Sequence, residues 1–276
     1  VQTKPPTIHF IADFADVVRM EPAFRATEEK LRMGFPFSMA FQPIVNVTTG
    51  NIYAYEALVR GPQGQSAASI LGRLKENDQF LFHQKCRSHA MTLATNLGIT
   101  KSNAALSINF LPRAIRTPEA CSAMTLAAAK SLNFPHKRLI FEMTDSERLL
   151  DTKQARTVAC EYQRHGFRIA LSIDDLQSAL SEKAMCRQIR ADILKLNMAI
   201  TRNLHLHPHS QAGIASLQDM CNAEKIELIV EGVESLEEYV ALLRCGVERM
   251  QGYLLAMPAF ESLPQFALPA LAGMQA

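Results

Sequence analysis

Residues 39–61 read MAFQPIVNVTTGNIYAYEALVRG, two apolar β-like runs, MAFQPIV (39–45) and IYAYE (52–56), joined by NVTTGN. That connection has hairpin length and carries Gly50, a residue that accepts the positive φ of a tight turn. Parallel neighbours need a crossover of a dozen or more residues. One of these two strands must therefore run against any parallel sheet that the rest of the chain builds.

Six further runs of the same kind follow: AALSIN (104–109), RLIFE (138–142), RIALSIDD (168–175), DILKLN (192–197), IELIVE (226–231) and ERMQGY (248–253). Helical patterns lie between them at 66–96, 118–131, 147–165, 210–223 and 235–245. Ser235 opens the last of these, with Glu238 three residues on, the spacing of a capping box. Strand alternating with helix specifies a mainly parallel sheet, and eight runs specify closure into a barrel. The 276 residues suit one (β/α)₈ domain, for which about 250 is typical. The expectation is an α/β chain folded as a modified TIM barrel with one antiparallel strand near the N-terminus. Residues 1–36 read as a helical lead-in or linker, with EPAFRATEEKLRM (21–33) as an exposed helix, 37–262 as the barrel and 263–276 as a C-terminal tail.

Composition narrows the function classes. With 48% hydrophobic and 20% charged residues the chain reads as an ordinary soluble globular protein with a sizeable core. A net charge of +2 argues against bulk attraction to a nucleic acid polymer or an anionic membrane, so any anionic ligand needs local features. The six cysteines, at 86, 121, 160, 186, 221 and 245, form no CxxC pair and no disulfide framework, which suits a reduced, cytoplasmic compartment. No apolar run reaches the roughly 18 residues of a membrane span. The chain opens on Val1, which reads as a fragment of something longer. HLHPH, with His205, His207 and His209, reads as a solvated connection after the sixth of these eight runs.

Barrel active sites sit at the C-terminal ends of strands, and here those ends carry Glu56, Asn109, Glu142, Asp174, Asp175, Lys195, Glu231 and Gln251. Carboxylates converging on one mouth repel each other unless protonated or neutralised by cations. Carboxylate and amide oxygens without His or Cys suit hard divalent ions, Mg²⁺ or Mn²⁺ first and Ca²⁺ as an inert competitor. Two such ions activate a water and stabilise the leaving oxygen of a phosphodiester, with Lys195 placed to orient or deprotonate that water and Arg60 to hold a phosphate oxygen.

The phrases FQPIV (41–45), YEALVRG (55–61), LSINFLP (106–112), FEMTDSE (141–147), SIDD (172–175), ADILKLN (191–197), VEGVES (230–235) and MQGYLLAMP (250–258) resemble those of the EAL domain, the bacterial cyclic-di-GMP phosphodiesterase fold. The resemblance implies hydrolysis of one phosphodiester of cyclic-di-GMP to linear pGpG with two Mg²⁺ or Mn²⁺ ions, Ca²⁺ inhibiting. It implies Glu56, Asn109, Glu142 and Asp174 as metal ligands, Asp175 and Glu231 around the second ion, and Lys195 at the attacking water. Gln251 and Glu234 fall in the same mouth, and Gln42, Leu58, Arg60 and Pro258 at the positions that hold guanine and phosphate. It also implies a homodimer, and residues 21–33, read alternatively as a signalling linker, would join the domain to an upstream sensor domain or partner protein.

The sequence departs from the family's pattern in three places, one of them a five-residue loop. Leu176, Gln177, Ser178, Ala179 and Leu180 stand where a glycine-containing loop usually follows the aspartate pair, Asn197 stands where an aspartate is usual, and Asp145 stands for a glutamate. A side chain where φ must be positive costs on the order of 1 kcal/mol, so the loop is expected to take another path. Two alternatives to the enzyme stay open: a catalytically impaired cyclic-di-GMP receptor, and a protein-interaction signalling module.

Overall fold

The computed structural model describes residues 36–75, 78–143, 152–176 and 190–270. The segment 1–35, Asp145, residues 177–189 and the last six residues lie outside that range, so the expectations for the lead-in helix, for Asp145 and for the loop 177–180 fall on residues not described.

β1 (Ser38–Asn46) and β2 (Asn51–Arg60) form an antiparallel hairpin that pairs Ser38 with Arg60 and Asn46 with Asn51, with an irregularity between Ile44 and Val45. Gly50 turns it at φ +65°. Parallel pairing then continues from β2 through β3 (Ala105–Phe110), β4 (Leu139–Met143), β5 (Arg168–Ile173), β6 (Ile193–Leu196) and β7 (Glu227–Val230) to β8 (Arg249–Met250). β8 closes the ring against β1 at Val45 and Asn46, and β9 (Ala259–Phe260) continues that seam beside Ala40 and Phe41. β1 is thus the strand that runs against the others, as the short hairpin demands.

The helices α1 (Gln79–Asn96), α2 (Pro118–Ser131), α3 (Thr152–Arg164), α4 (Pro208–Glu224) and α5 (Leu236–Arg244) pack outside the ring. The pattern expected over 66–96 divides into a short helix, Ala67–Leu71, and α1. The capping box at Ser235 and Glu238 is formed, each side chain accepting from the other's backbone amide. Buried Arg87 of α1 bonds Thr125 and Tyr162 and lies over the Phe110 and Phe141 rings, tying three helices to the backs of β3 and β4. Residues 263–270, expected as a tail, lie against the barrel: the Tyr55 hydroxyl donates to the Pro264 carbonyl, and Leu263 and Phe266 pack on the core. The five described cysteines are free, and no described helix is long and apolar enough to cross a membrane.

The interior is layered. Ile44, Ala54, Ala105, Ile140, Ala170, Ile193 and Ile229 form an apolar ring, one residue from each of β1 to β7. Side chains alternate faces along a strand, so the residue two positions nearer the C-terminal mouth also points inward. On the parallel strands that rule selects Glu56, Ser107, Glu142, Ser172, Lys195 and Glu231, and on antiparallel β1 it selects Gln42. At the opposite mouth Glu227 bridges Arg168 and Arg249 at 2.8 and 3.1 Å, and Arg168 bonds the Tyr53 hydroxyl at 2.7 Å, closing the barrel floor.

Candidate metal centre at the barrel mouth

Lys195 stands at the centre of the inward polar layer and is fully buried. Its ammonium donates to Glu56 Oε2 at 3.2 Å and contacts carboxylate oxygens of both Glu142 and Glu231. The three glutamates each present an oxygen within 4.8 Å of the others. β2, β4 and the end of β7 supply them, and the Glu231 amide extends the ladder by bonding the Leu196 carbonyl at 2.9 Å. Amides complete the inner site: Asn109 Nδ2 donates to Glu56 Oε1 at 3.1 Å, and Gln251 Nε2 donates to Glu56 Oε2 at 3.0 Å and to Gln42 Oε1 at 3.3 Å. Gln42 in turn donates to the Ala256 carbonyl at 3.1 Å, tying the loop before Pro258 to the site.

One ammonium faces three buried carboxylates, and their protonation follows from who stands nearest. Burial pushes Glu142 up to about 8, with the charges of Glu56 and Glu231 adding to it and Lys195 opposing. Glu231 is also raised, by burial first, against the pull of Lys195. Burial acts on Glu56 in the same sense, but Lys195 and the amides of Gln251 and Asn109 outweigh it and hold that carboxyl below its ordinary value. The same three acids overcome the desolvation of Lys195 and keep it protonated well above the usual lysine range.

The donor set fits a hard divalent cation. It is all oxygen and places three carboxylates close enough to share one ion. Gln251 Oε1 is buried with no hydrogen-bond partner among the described residues, an acceptor that a cation or its bound water would satisfy.

The remaining expected residues form an outer shelf. Asp174 and Asp175 follow β5 and are exposed; neither joins the inner cluster of three carboxylates. Asp174 Oδ1 accepts from Asn197 Nδ2 at 3.0 Å. Asn197 Oδ1 accepts from the Ala199 amide at 3.0 Å and caps the short helix Met198–Thr201. Leu58 and Arg60 continue the inward face of β2 and are half-buried at the rim, with Arg60 bonding the Val59 carbonyl. Pro258 is half-buried ahead of β9, and exposed Glu234 pairs with Arg202 at 2.8 Å. Leu176, the first residue of the departing loop, packs against the core beside Gly213.

The sequence profile of the EAL domain matches residues 28–258 of this chain. The chain belongs to the EAL domain family. The crystal structure of a standalone EAL protein from Vibrio cholerae O395, in its c-di-GMP-bound form, has the same fold with a TM-score of 0.76 at 38% identity, over 85% of this chain and 97% of that one. The blue light- and temperature-regulated antirepressor BluF of Escherichia coli K12 is 26% identical over 231 residues, which are 83% of this chain and 56% of BluF. The cyclic di-GMP phosphodiesterase PdeF of the same organism is 33% identical over 121 residues, 44% of this chain and 16% of PdeF. The chain therefore spans about half, or less, of the length of these curated relatives.

This EAL domain also uses residues that strand-end logic passed over. Ser107 and Ser172 are buried at the level of Glu56 and Lys195, and stepping back two residues from Asn109 and Asp174 would have found them. The Thr201 hydroxyl donates to the Glu231 carbonyl at 2.7 Å, bracing the chain just beyond β7 from the short helix. Gly232, at φ +71°, lets Met198 approach: an added Cβ there would lie 2.1 Å from the Met198 Cβ.

Proposed function

We propose that this EAL domain is a cyclic-di-GMP phosphodiesterase that opens one phosphodiester bond to give linear pGpG, dependent on Mg²⁺ or Mn²⁺. The observation that carries it is the convergence of Glu56, Glu142 and Glu231 on one buried ammonium at the C-terminal mouth. Glu56, Asn109, Glu142 and Glu231 would hold one ion, and Asp174 and Asp175, beside Glu231, would flank a second. Bound there, the ions supply Lewis acidity for a water nucleophile and charge neutralisation at the phosphate.

The chain's own groups do the rest. Lys195, held protonated by three acids, donates a hydrogen bond to the attacking water and orients it. Gln251 fixes Glu56 through its amide hydrogens and offers Oε1 as an acceptor inside the site. Arg60 at the rim pairs with a phosphate oxygen, while Gln42, Leu58 and Pro258 border the purines. Ca²⁺ would compete for the same oxygens without supporting turnover. The domain acts as a homodimer under an upstream sensor or partner.

A second reading has its own support. The amide hydrogen of Asn197 engages Asp174, and one relative is named an antirepressor, so a receptor that binds cyclic-di-GMP without cutting it is the rival. Incubation with cyclic-di-GMP and Mn²⁺ or Mg²⁺, with pGpG followed by chromatography and binding titrated in Ca²⁺, separates the two. Metal-dependent pGpG that vanishes in Glu56→Ala is the expected result. Tight binding without pGpG establishes the receptor, and no binding leaves an interaction module.

A further inference from the structure

The short segment after β6 reaches both neighbouring strand ends. At its start Asn197 Nδ2 donates to Asp174 Oδ1 beyond β5, and at its end Thr201 grips the Glu231 carbonyl beyond β7. Its position is fixed from two sides. Asn197 Oδ1 caps the helix at the Ala199 amide, so turning the carboxamide over would set N–H against N–H. Met198 is locked against Gly232, where no side chain would fit. The donor that faces Asp174 is therefore held in place.

The separation of that pair has a second meaning. Cis oxygens on an octahedral Mg²⁺, each at ~2.0–2.1 Å from the ion, lie about 2.9 Å apart. Asn197 Nδ2 and Asp174 Oδ1 lie 3.0 Å apart. The two side chains thus have the spacing of neighbouring ligands of one cation, but a hydrogen occupies the line between them and one of the two atoms is a donor.

Resting on the phosphodiesterase reading of the inner site, we propose that Asn197 is a positioning residue that limits cation occupancy beside Asp174: it presents an N–H donor to Asp174 where a shared divalent ion would need a second oxygen. The inner glutamates bind one ion tightly, and the Asp174 side binds a second weakly. An aspartate at 197 would keep the cap oxygen and turn the same pair into two cis carboxylate ligands. A serine would keep a cap oxygen on a shorter arm and withdraw the hydrogen from Asp174.

The test is Mn²⁺ titration by calorimetry on the metal-free full chain and on Asn197→Asp and Asn197→Ser, with thermal unfolding in EDTA to establish that each variant is folded. Asn197→Asp is expected to make a second Mn²⁺ step appear, or to tighten the weaker step by about 10–100-fold, with the tighter step unchanged. Asn197→Ser is expected to tighten the weaker step by a smaller factor. A weaker step identical in all three proteins overturns the inference and leaves the inner site standing. Tightening in Asn197→Asp with none in Asn197→Ser also overturns it, because charge and not the hydrogen would then be in control. If no protein takes up Mn²⁺, and Glu56→Ala behaves as the parent does, the phosphodiesterase reading falls with it.

Discussion

Lys195 Nζ sits 3.2 Å from Glu56 Oε2 while also touching Glu142 and Glu231, so a single buried ammonium answers three carboxylates. Removing it leaves buried negative charge without a cation. Lys195→Met should lower the stability of the metal-free protein by about 3–5 kcal/mol near neutral pH. Burial and the neighbouring acids already push Glu142 up to about 8, so protonation relieves the variant as pH falls. Denaturant unfolding in EDTA should show the deficit shrinking from pH 8 to pH 5, and Mn²⁺ should recover part of it. An equal deficit at both pH values would mean that the acids do not carry the cost.

Gly252 follows Gln251, and a Cβ there would lie 2.0 Å from the Val233 carbonyl oxygen and 2.4 Å from its nitrogen. Backbone cannot yield as a side-chain tip can, so the strand end must move and Gln251 with it. Gly252→Ala should cost roughly 2–4 kcal/mol in chemical denaturation and weaken cyclic-di-GMP binding in Ca²⁺. Full stability with unchanged binding would show that the 231–233 turn shifts freely.

The sequence told more about the inner site than about its rim because period-two alternation is local. Once RLIFE and DILKLN are strands, Glu142 shares a face with Ile140 and Lys195 with Ile193, and the short NVTTGN turn requires that one of the first two strands run backward. β9 left no such trace, since two residues carry no pattern, and ERMQGY forms only the two-residue strand Arg249–Met250, beyond which Gly252 lies close against Val233. Asn197 could be seen to lack a charge, but not that its oxygen is consumed by a helix cap or that its amide faces Asp174. Those depend on side-chain torsions and on where two separate strands end.

Glu238 gives the acid limb of stability a specific origin. Burial alone would raise its carboxyl, but the amides of Glu234, Asn203 and Ser235, with Arg202, outweigh burial and hold it below the ordinary glutamate value. A depressed carboxyl contributes stability above its unfolded value and loses it as pH falls through the folded one. Glu238→Ala should therefore cost roughly 1–2 kcal/mol at pH 7, and the gap from the parent should narrow as pH falls below the ordinary glutamate range. Parallel stability curves across that range would assign the loss to packing in place of the charged cap.

The barrel floor offers the complementary experiment. Glu227 bridges Arg168 and Arg249, and Tyr53, its hydroxyl bonded to Arg168, lies under the Arg249 guanidinium with its ring centroid at 5.1 Å. Burial first, with Glu227 adding and Arg168 opposing, raises the Tyr53 hydroxyl above the usual tyrosine range, so it stays a neutral donor and acceptor. Residues at this end of a barrel serve stability, while chemistry belongs to the far mouth. Because the three ion-paired side chains are each 20–30% exposed, the cost of breaking them should fall below that of a fully buried pair. Glu227→Ala should lose roughly 1–3 kcal/mol in unfolding experiments, with the affinity for cyclic-di-GMP in Ca²⁺ unchanged at temperatures where the variant is folded. The apolar ring from Ile44 to Ile229 separates floor from mouth, and it is what this variant probes. A loss of affinity at constant fold would mean that the ring transmits strain from the floor to Glu56 and Lys195.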